Sequence, residues 1–410
     1  MTSMAFFFFF FYFKGLKDKN ASYNNCEWQS KVNKGEWAEL YALYKILADQ
    51  NLYVGEEENR PVLPVLSVLR HTTEDLYCEY TIKREDDNII IRTSTEEEVV
   101  IPRGEFEIAS RSLWEEIKKG QSTFEIPVVD KFREKTFCPN IKSFAVDSPE
   151  GGKDKSDIYI AIHDYRTGQQ PKFGFSIKSA FSNPATLGNA SGLTTFEYEI
   201  TPRLSQPEIE AINNICSQRT NKKTGETKNI ADIKGRVQAI IEKGSNLNFL
   251  SVRLGTQKRT KYTFKENLFL IDSRMEEIVG ELLKYAYSTR EMKVSKIVEN
   301  MTHDNPLSFP MATNEHHYEA KIKHLLYDIT VGMVPGTPWN GVPQANGGYL
   351  IVKETGDITC YHIFEKKSFE DYLYSNMVLE TPDAGRLKFG SIETRDGKQI
   401  FSLNLQFRFT

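Results

Sequence analysis

Apolar residues recur at helical spacing in "KGEWAELYALYKILAD", residues 34–49, where Trp37, Leu40, Tyr41, Tyr44, Leu47 and Ala48 make one stripe. The spacing predicts an amphipathic helix. The pattern then changes to short β-branched runs, "PVLPVLSVLR", "NIIIRTS" and "EEEVVIP", which read as strands, with Glu56–Glu58 and Glu96–Glu98 as solvated charge runs. "IASRSLWEEIKKG" is a second helix, stopped at Gly120. Residues 141–200 carry the pattern of a core sheet. Residues 205–245 read as helical around a polar loop, "SQRTNKKTGETKN", and "KENLFLIDSRMEEIVGELLKYAYS" as a strand or extended entry followed by a helix. Beyond Asn300 a Pro/Gly-rich loop leads to two strands in "GGYLIVKETGDITCYHIF", joined at Thr355, Gly356 and Asp357, and "KQIFSLNLQFRFT" closes the chain as an alternating strand.

Within the core segment, "SDIYIAIHDYRTGQQPKFGFSIKS" is a candidate hairpin. Ile158, Ile160 and Ile162 share one face of its first strand, and Phe173, Phe175 and Ile177 share one face of the second. If both apolar faces lie on one core, Asp157 points to the same side of the sheet as Ser176 and Lys178. An acid and a lysine then converge. In an arbitrary hairpin such a pair would be a strand cap and a solvated edge lysine.

Composition changes this picture little. The chain has 410 residues, 40% of them hydrophobic, enough for one large domain with insertions or for two domains. Its five cysteines are scattered without zinc-site spacing, which points to a reduced, cytoplasmic protein. The aromatic run Phe6–Phe13 is too short to span a bilayer and lacks the flanks of a secretory signal; it reads as a variable tail. The net charge is −4, yet between Arg219 and Lys265 twelve lysines and arginines face three acids, an excess of +9 that leaves −13 elsewhere. Such asymmetry suits a DNA-facing surface on an acidic protein. Lys222, Lys223, Arg253, Lys258 and Arg259 are the candidate contacts there, and Asn183 and Asn189, in a loop of small residues after Lys178, are further ones. His316 and His317 in "NEHHYEA" have no companion ligands and read as two solvent histidines on a helix, and Trp339 as packing.

The acid followed by x-Lys on the next strand resembles the core of PD-(D/E)XK nucleases. Four stretches in order, "KGEWAELYALYKILADQNLY", the hairpin through "SAFSNPATLGNASGLTTFEYEI", "GMVPGTPWNGVPQANGGYLIVKETGDITCYHIFEKKSFEDYL" and "LNLQFRF", resemble the HpaII family of type II restriction endonucleases. The resemblance implies an α/β fold, a mixed sheet flanked by helices with mainly β additions at the C-terminus. It also implies magnesium-dependent cleavage of double-stranded DNA at CCGG, beside a companion methyltransferase that protects the host. A palindromic target suits a homodimer, although a monomer cutting twice is physically possible. In this arrangement Asp157 and the Ile177 carbonyl would be metal ligands and Lys178 would stabilise charge at the attacked phosphate.

Two departures stand out. Ser156 takes the place of the motif's proline, and Ser176 takes the place of its second carboxylate. The missing acid would come from Glu36 or Glu39 on the first helix, or from Glu197 or Glu199 after the sheet. The helix is favoured, but its phase does not choose between Glu36 and Glu39. If no acid arrives, the protein would bind DNA without cutting it. The expected organisation is a tail at 1–30, a nuclease core at 31–295 and a C-terminal region at 296–410 for recognition or self-association.

Overall fold

The predicted first helix forms over the predicted residues, α1 (Lys34–Asp49), and its start is fixed by its own side chains. Asn33 Oδ1 accepts from the Glu36 N–H at 3.1 Å, and Glu36 Oε2 accepts from the Asn33 N–H at 3.0 Å, a reciprocal capping box. Gln50 ends it in the left-handed region at φ 58°. Almost the whole circumference of α1 is buried, because it lies between a sheet and the helix α2 (Arg103–Lys119). Its polar tips are satisfied inside that packing: Tyr41 donates to the Gly356 carbonyl at 2.5 Å, and Trp37 Nε1 to Phe124 O at 3.1 Å.

This computed structural model describes residues 31–55, 62–146, 154, 156–164, 168–180, 186–188, 190–220, 225–258, 261–310, 315–343, 347–362 and 366–410. The aromatic tail lies outside them. Two compact units result, one of residues 1–183 and 344–363, the other of 184–343 and 364–410.

The first unit is built on a nine-stranded mixed sheet. Its strands are β1 (Asn51–Val54), β2 (Val62–His71), β3 (Tyr77–Lys83), β4 (Asn88–Thr93), β5 (Glu98–Pro102), β6 (Ile158–Ile162), β7 (Lys172–Ser179), β8 (Gly348–Val352) and β9 (Ile358–His362), in the order β1-β9-β8-β7-β6-β2-β3-β4-β5. Because β1 also pairs with the start of β2, six of these strands run in a closed circuit. The predicted hairpin is the antiparallel pair β6–β7, in the register Ile158↔Phe175 and Ile160↔Phe173 that puts both apolar sets on one face. Strand β8 then lies parallel to β7, with Tyr349 beside Ser176 and Ile351 beside Lys178.

That parallel pairing overturns the boundary expected at residue 295. A parallel neighbour needs a long crossover, and here the chain leaves at Ala180, builds residues 184–343 of the second unit and returns at Gly347. The strands 348–352 and 358–362, assigned from sequence to the C-terminal region, belong to the core sheet and are buried along their whole length.

The second unit holds an antiparallel sheet of Asn246–Val252, Thr195–Thr201, Lys398–Asn404 and Glu393–Arg395. Four expectations are corrected in it. The polar loop inside 205–245 is a two-stranded ribbon, Cys216–Thr220 with Thr227–Ala231. The extended entry is instead a helix, Thr263–Ile271, since a short apolar run does not distinguish helix from strand. The C-terminal alternation divides into two strands of different sheets, Lys398–Asn404 and Phe407–Phe409, at Leu405 and Gln406. The region after Asn300 is not mainly β, because it includes the helices His317–Val331 and Lys366–Asn376. Among the described residues no helix is long and apolar enough to cross a membrane.

Gly348 holds β8 against its neighbours: at φ +108° a Cβ would stand 2.0 Å from the Tyr361 carbonyl oxygen. Gly348→Ala is therefore expected to cost more than about 3 kcal/mol or to prevent folding. Gly104→Ala, in open space in the first turn of α2, should be neutral or stabilising by up to about 1 kcal/mol. Urea denaturation of the two variants checks both.

Candidate active site

Asp157 stands one residue before β6, outside the paired register, and its N–H donates to Phe175 O at 2.8 Å. The carboxylate turns back onto the second strand. Its Oδ2 accepts from the Ile177 N–H at 2.5 Å and from the Ser176 hydroxyl at 3.1 Å. Lys178 Nζ donates to Ser176 Oγ at 2.8 Å and to the Ile177 carbonyl at 3.1 Å. It also sits 5.4 Å from the centroid of the Tyr349 ring on the parallel strand β8.

Ser176 is buried between these two charges and serves both. Its hydroxyl donates to Asp157 while accepting from Lys178, which an ionised carboxylate in that place could not do. The departure from the motif thus replaces a second negative charge by a neutral hydrogen-bonded bridge.

The two helix glutamates separate clearly. Glu36 is committed to capping α1. Glu39, half-buried, accepts from the Ser143 N–H at 3.1 Å and is close enough to Asp157 and Lys178 to feel both charges. Burial first, and then repulsion by Asp157, push its carboxyl up to about 7; the Ser143 hydrogen bond, Arg70 and Lys178 oppose that rise. Glu197 and Glu199 belong to the second unit and are paired there, Glu197 with Arg253 at 3.0 Å and Arg395 at 2.7 Å, Glu199 with Lys398 at 2.8 Å.

Three contributors escape a sequence reading. Arg70 is buried and donates to the carbonyls of Asn140 and Ile141 at 3.0 and 2.7 Å, which fixes a positive charge near Glu39. Its inward direction follows from a register shift between Val65 and Ser67 that resets the alternation of β2. Ser143 lies in an irregular segment and Tyr349 comes from far along the chain; neither carries a local signal.

Asp157, Glu39 and the Ile177 carbonyl offer hard oxygen donors of the kind magnesium takes, and two carboxylates that repel each other are the arrangement a divalent cation relieves. Among the described residues, no group of three or more His, Cys, Asp or Glu side chains is placed to hold a metal ion, so carboxylates alone would not complete a coordination shell.

The sequence matches the family described as HpaII restriction endonuclease over residues 33–409. The chain belongs to that family. It is also 37% identical, over 92% of its length and 98% of the relative's, to a protein of Haemophilus parainfluenzae named Type II restriction enzyme HpaII. No solved structure matches it. The HpaII-family match spans α1, β6, β7 and β8, so every residue that meets at Asp157 lies within it.

Of the candidate DNA contacts in this HpaII-family member, Asn183, Asn189, Lys222, Lys223 and Arg259 lie outside the described residues. Lys258 is exposed. Arg253 is held by Glu197 and by the Lys388 carbonyl at 3.0 Å, which fixes its guanidinium within the second unit. His316 is exposed as expected, against Glu319, but His317 is half-buried, stacked on Phe309. Trp339 is half-buried, its backbone N–H donating to Asn267 Oδ1 at 3.0 Å.

The raised Glu39 carboxyl predicts a stability cost with a definite sign. Below about pH 4.5 the carboxyl is protonated in both folded and unfolded chains and costs nothing. As pH rises toward about 7 the unfolded chain ionises first, so stability falls, and the full cost persists above that. Glu39→Gln in metal-free buffer should therefore gain about 1–3 kcal/mol at pH 8 and nothing measurable at pH 4.5. Denaturant melts at the two pH values check it, and an equal effect at both would refute the electrostatic account.

Proposed function

We propose that this HpaII-family endonuclease hydrolyses double-stranded DNA at CCGG, with magnesium, on a PD-(D/E)XK-type core. Asp157, Lys178, Ser176 and Glu39 do the work. The observation that carries the reading is the bridge from Lys178 through Ser176 to Asp157, with the Glu39 carboxyl close enough to feel both charges, within a chain whose family match is nearly complete. A mixed sheet with β8 parallel to β7, and α1 packed on it, supports the core assignment.

Magnesium, held by Asp157, Glu39 and the Ile177 carbonyl, would polarise the scissile phosphate and make a bound water acidic enough to attack. The chain's own residues supply the rest. Asp157 is oriented by the Ile177 N–H and the Ser176 hydroxyl, so one carboxylate oxygen is fixed and the other is left for a ligand. Lys178 places an ammonium beside that carboxylate, where it stabilises negative charge developing on the phosphate oxygens. Glu39 supplies the second acid from α1, which frees position 176 to be neutral. Glu36 keeps a structural role.

Ser176 is the one feature that favours a second reading, a DNA-binding protein that no longer cuts. The same reading of the family implies a companion methyltransferase, action in the cytoplasm and, for a palindromic site, a homodimer.

Unmodified plasmid carrying CCGG sites, incubated with the purified protein and either magnesium or chelator, tests the proposal. Discrete magnesium-dependent fragments whose sequenced ends fall at CCGG are expected. Asp157→Asn and Lys178→Ala should each lower the cleavage rate by about a thousandfold or more while still retarding DNA. Discrete ends elsewhere would discard the target, and intact DNA retarded by folded wild-type protein would establish the non-cutting reading.

A further inference from the structure

The basic stretch between Arg219 and Lys265 divides once its side chains are placed. Arg236 is buried and donates to the Gly390 carbonyl at 2.7 Å and to Ile215 O at 3.1 Å. Lys243 faces Glu208 at 3.4 Å, Arg253 faces Glu197 at 3.0 Å and Lys265 faces Glu276 at 2.9 Å. These four hold the second unit together. Arg219 and Lys228 are different: both are exposed, and neither joins an ion pair with a described residue.

They stand directly opposite each other on the ribbon Cys216–Thr220/Thr227–Ala231, in the register Arg219↔Lys228. Like charges facing across an antiparallel pair destabilise it. The ribbon has little to set against that cost, because almost every residue on both its faces is exposed and a lone two-stranded sheet is marginal in water. Its base, by contrast, is anchored. The Asp232 N–H donates to Ile215 O at 3.2 Å, and the Arg236 guanidinium spans the carbonyls of Asn213, Ile215 and Gly390. A firmly rooted, solvent-exposed ribbon with two unneutralised cations on one face is built to meet a polyanion.

We propose that this ribbon is a DNA-docking element that lies along a groove of the duplex with its Arg219/Lys228 face toward the nucleic acid. A two-stranded ribbon fits the major groove. The opposite face, with Gln218↔Asn229 and the Thr220–Thr227 hydroxyl pair at 3.0 Å, turns away. The proposal rests on the DNA-cutting reading above. It adds a surface that holds the duplex.

Binding of the full-length protein to labelled duplexes with and without CCGG, in chelator and across a salt series, tests it. Arg219→Ala/Lys228→Ala should retain the wild-type melting temperature or exceed it, since the repulsion is gone, and should weaken binding about tenfold or more. If the cations contact phosphates, both duplexes lose affinity alike, the slope of log affinity against log salt falls by about two, and Arg219→Lys restores its share. If Arg219 reads guanine, the loss is larger on the CCGG duplex and Arg219→Lys does not restore it. Gln218→Ala/Asn229→Ala should stay within about twofold of wild type. Wild-type affinity and salt slope in the Arg219/Lys228 double variant, or a larger loss from the Gln218/Asn229 pair, would overturn the proposal. Wild-type protein that binds neither duplex would overturn the DNA reading itself.

Discussion

The site depends on one constraint, the register of β6 against β7. With Ile158 opposite Phe175, the apolar residues of both strands fall on one face, and the Asp157 carboxylate, one residue before β6, reaches Ser176 and Ile177. A slip of one residue would turn the acid into the core. Burial of Ile158, Ile160, Ile162 and Phe175 therefore protects the placement of the polar group, and the same hydrophobic contacts that stabilise the sheet aim the carboxylate. The Ile177 N–H and the Ser176 hydroxyl then fix one of its oxygens.

A second carboxylate beside Asp157 is costly, and the chain distributes that cost. A pair of acids on adjacent strand positions would confront each other at the closest cross-strand distance. Here position 176 is neutral and bridges the lysine to the aspartate, while Glu39 stands on α1, where Ser143, Arg70 and Lys178 partly offset its burial. Glu39 nevertheless prefers its proton near neutrality.

Much of this was legible in the sequence because it follows local periodicity. The 3.6-residue stripe of α1 and the alternation in β6 and β7 fixed the helix, the hairpin and the convergence of Asp157 with Ser176 and Lys178. What was not legible depends on contacts remote in the chain. The helical phase left Glu36 and Glu39 equivalent until the capping box claimed one and the environment of Asp157 claimed the other. Arg70 was concealed by a register shift in β2, and the core strand β8 by the 160 residues of the second unit inserted before it, 184–343. The ribbon at 216–231 looked like a loop because its strands are polar on both faces, which removes the alternation that identifies strands.

We propose Glu39 as the acid that Ser176 does not provide. Single-turnover cleavage of a CCGG duplex by Glu39→Gln and Glu36→Gln, measured side by side with saturating protein and magnesium, addresses it most directly. Glu39→Gln should cut at least about a thousandfold more slowly than wild type, whereas Glu36→Gln should cut within a few-fold of it and lose only about 1 kcal/mol of stability with its cap. A fast Glu39→Gln enzyme, or a slow but fully folded Glu36→Gln enzyme, would contradict the account.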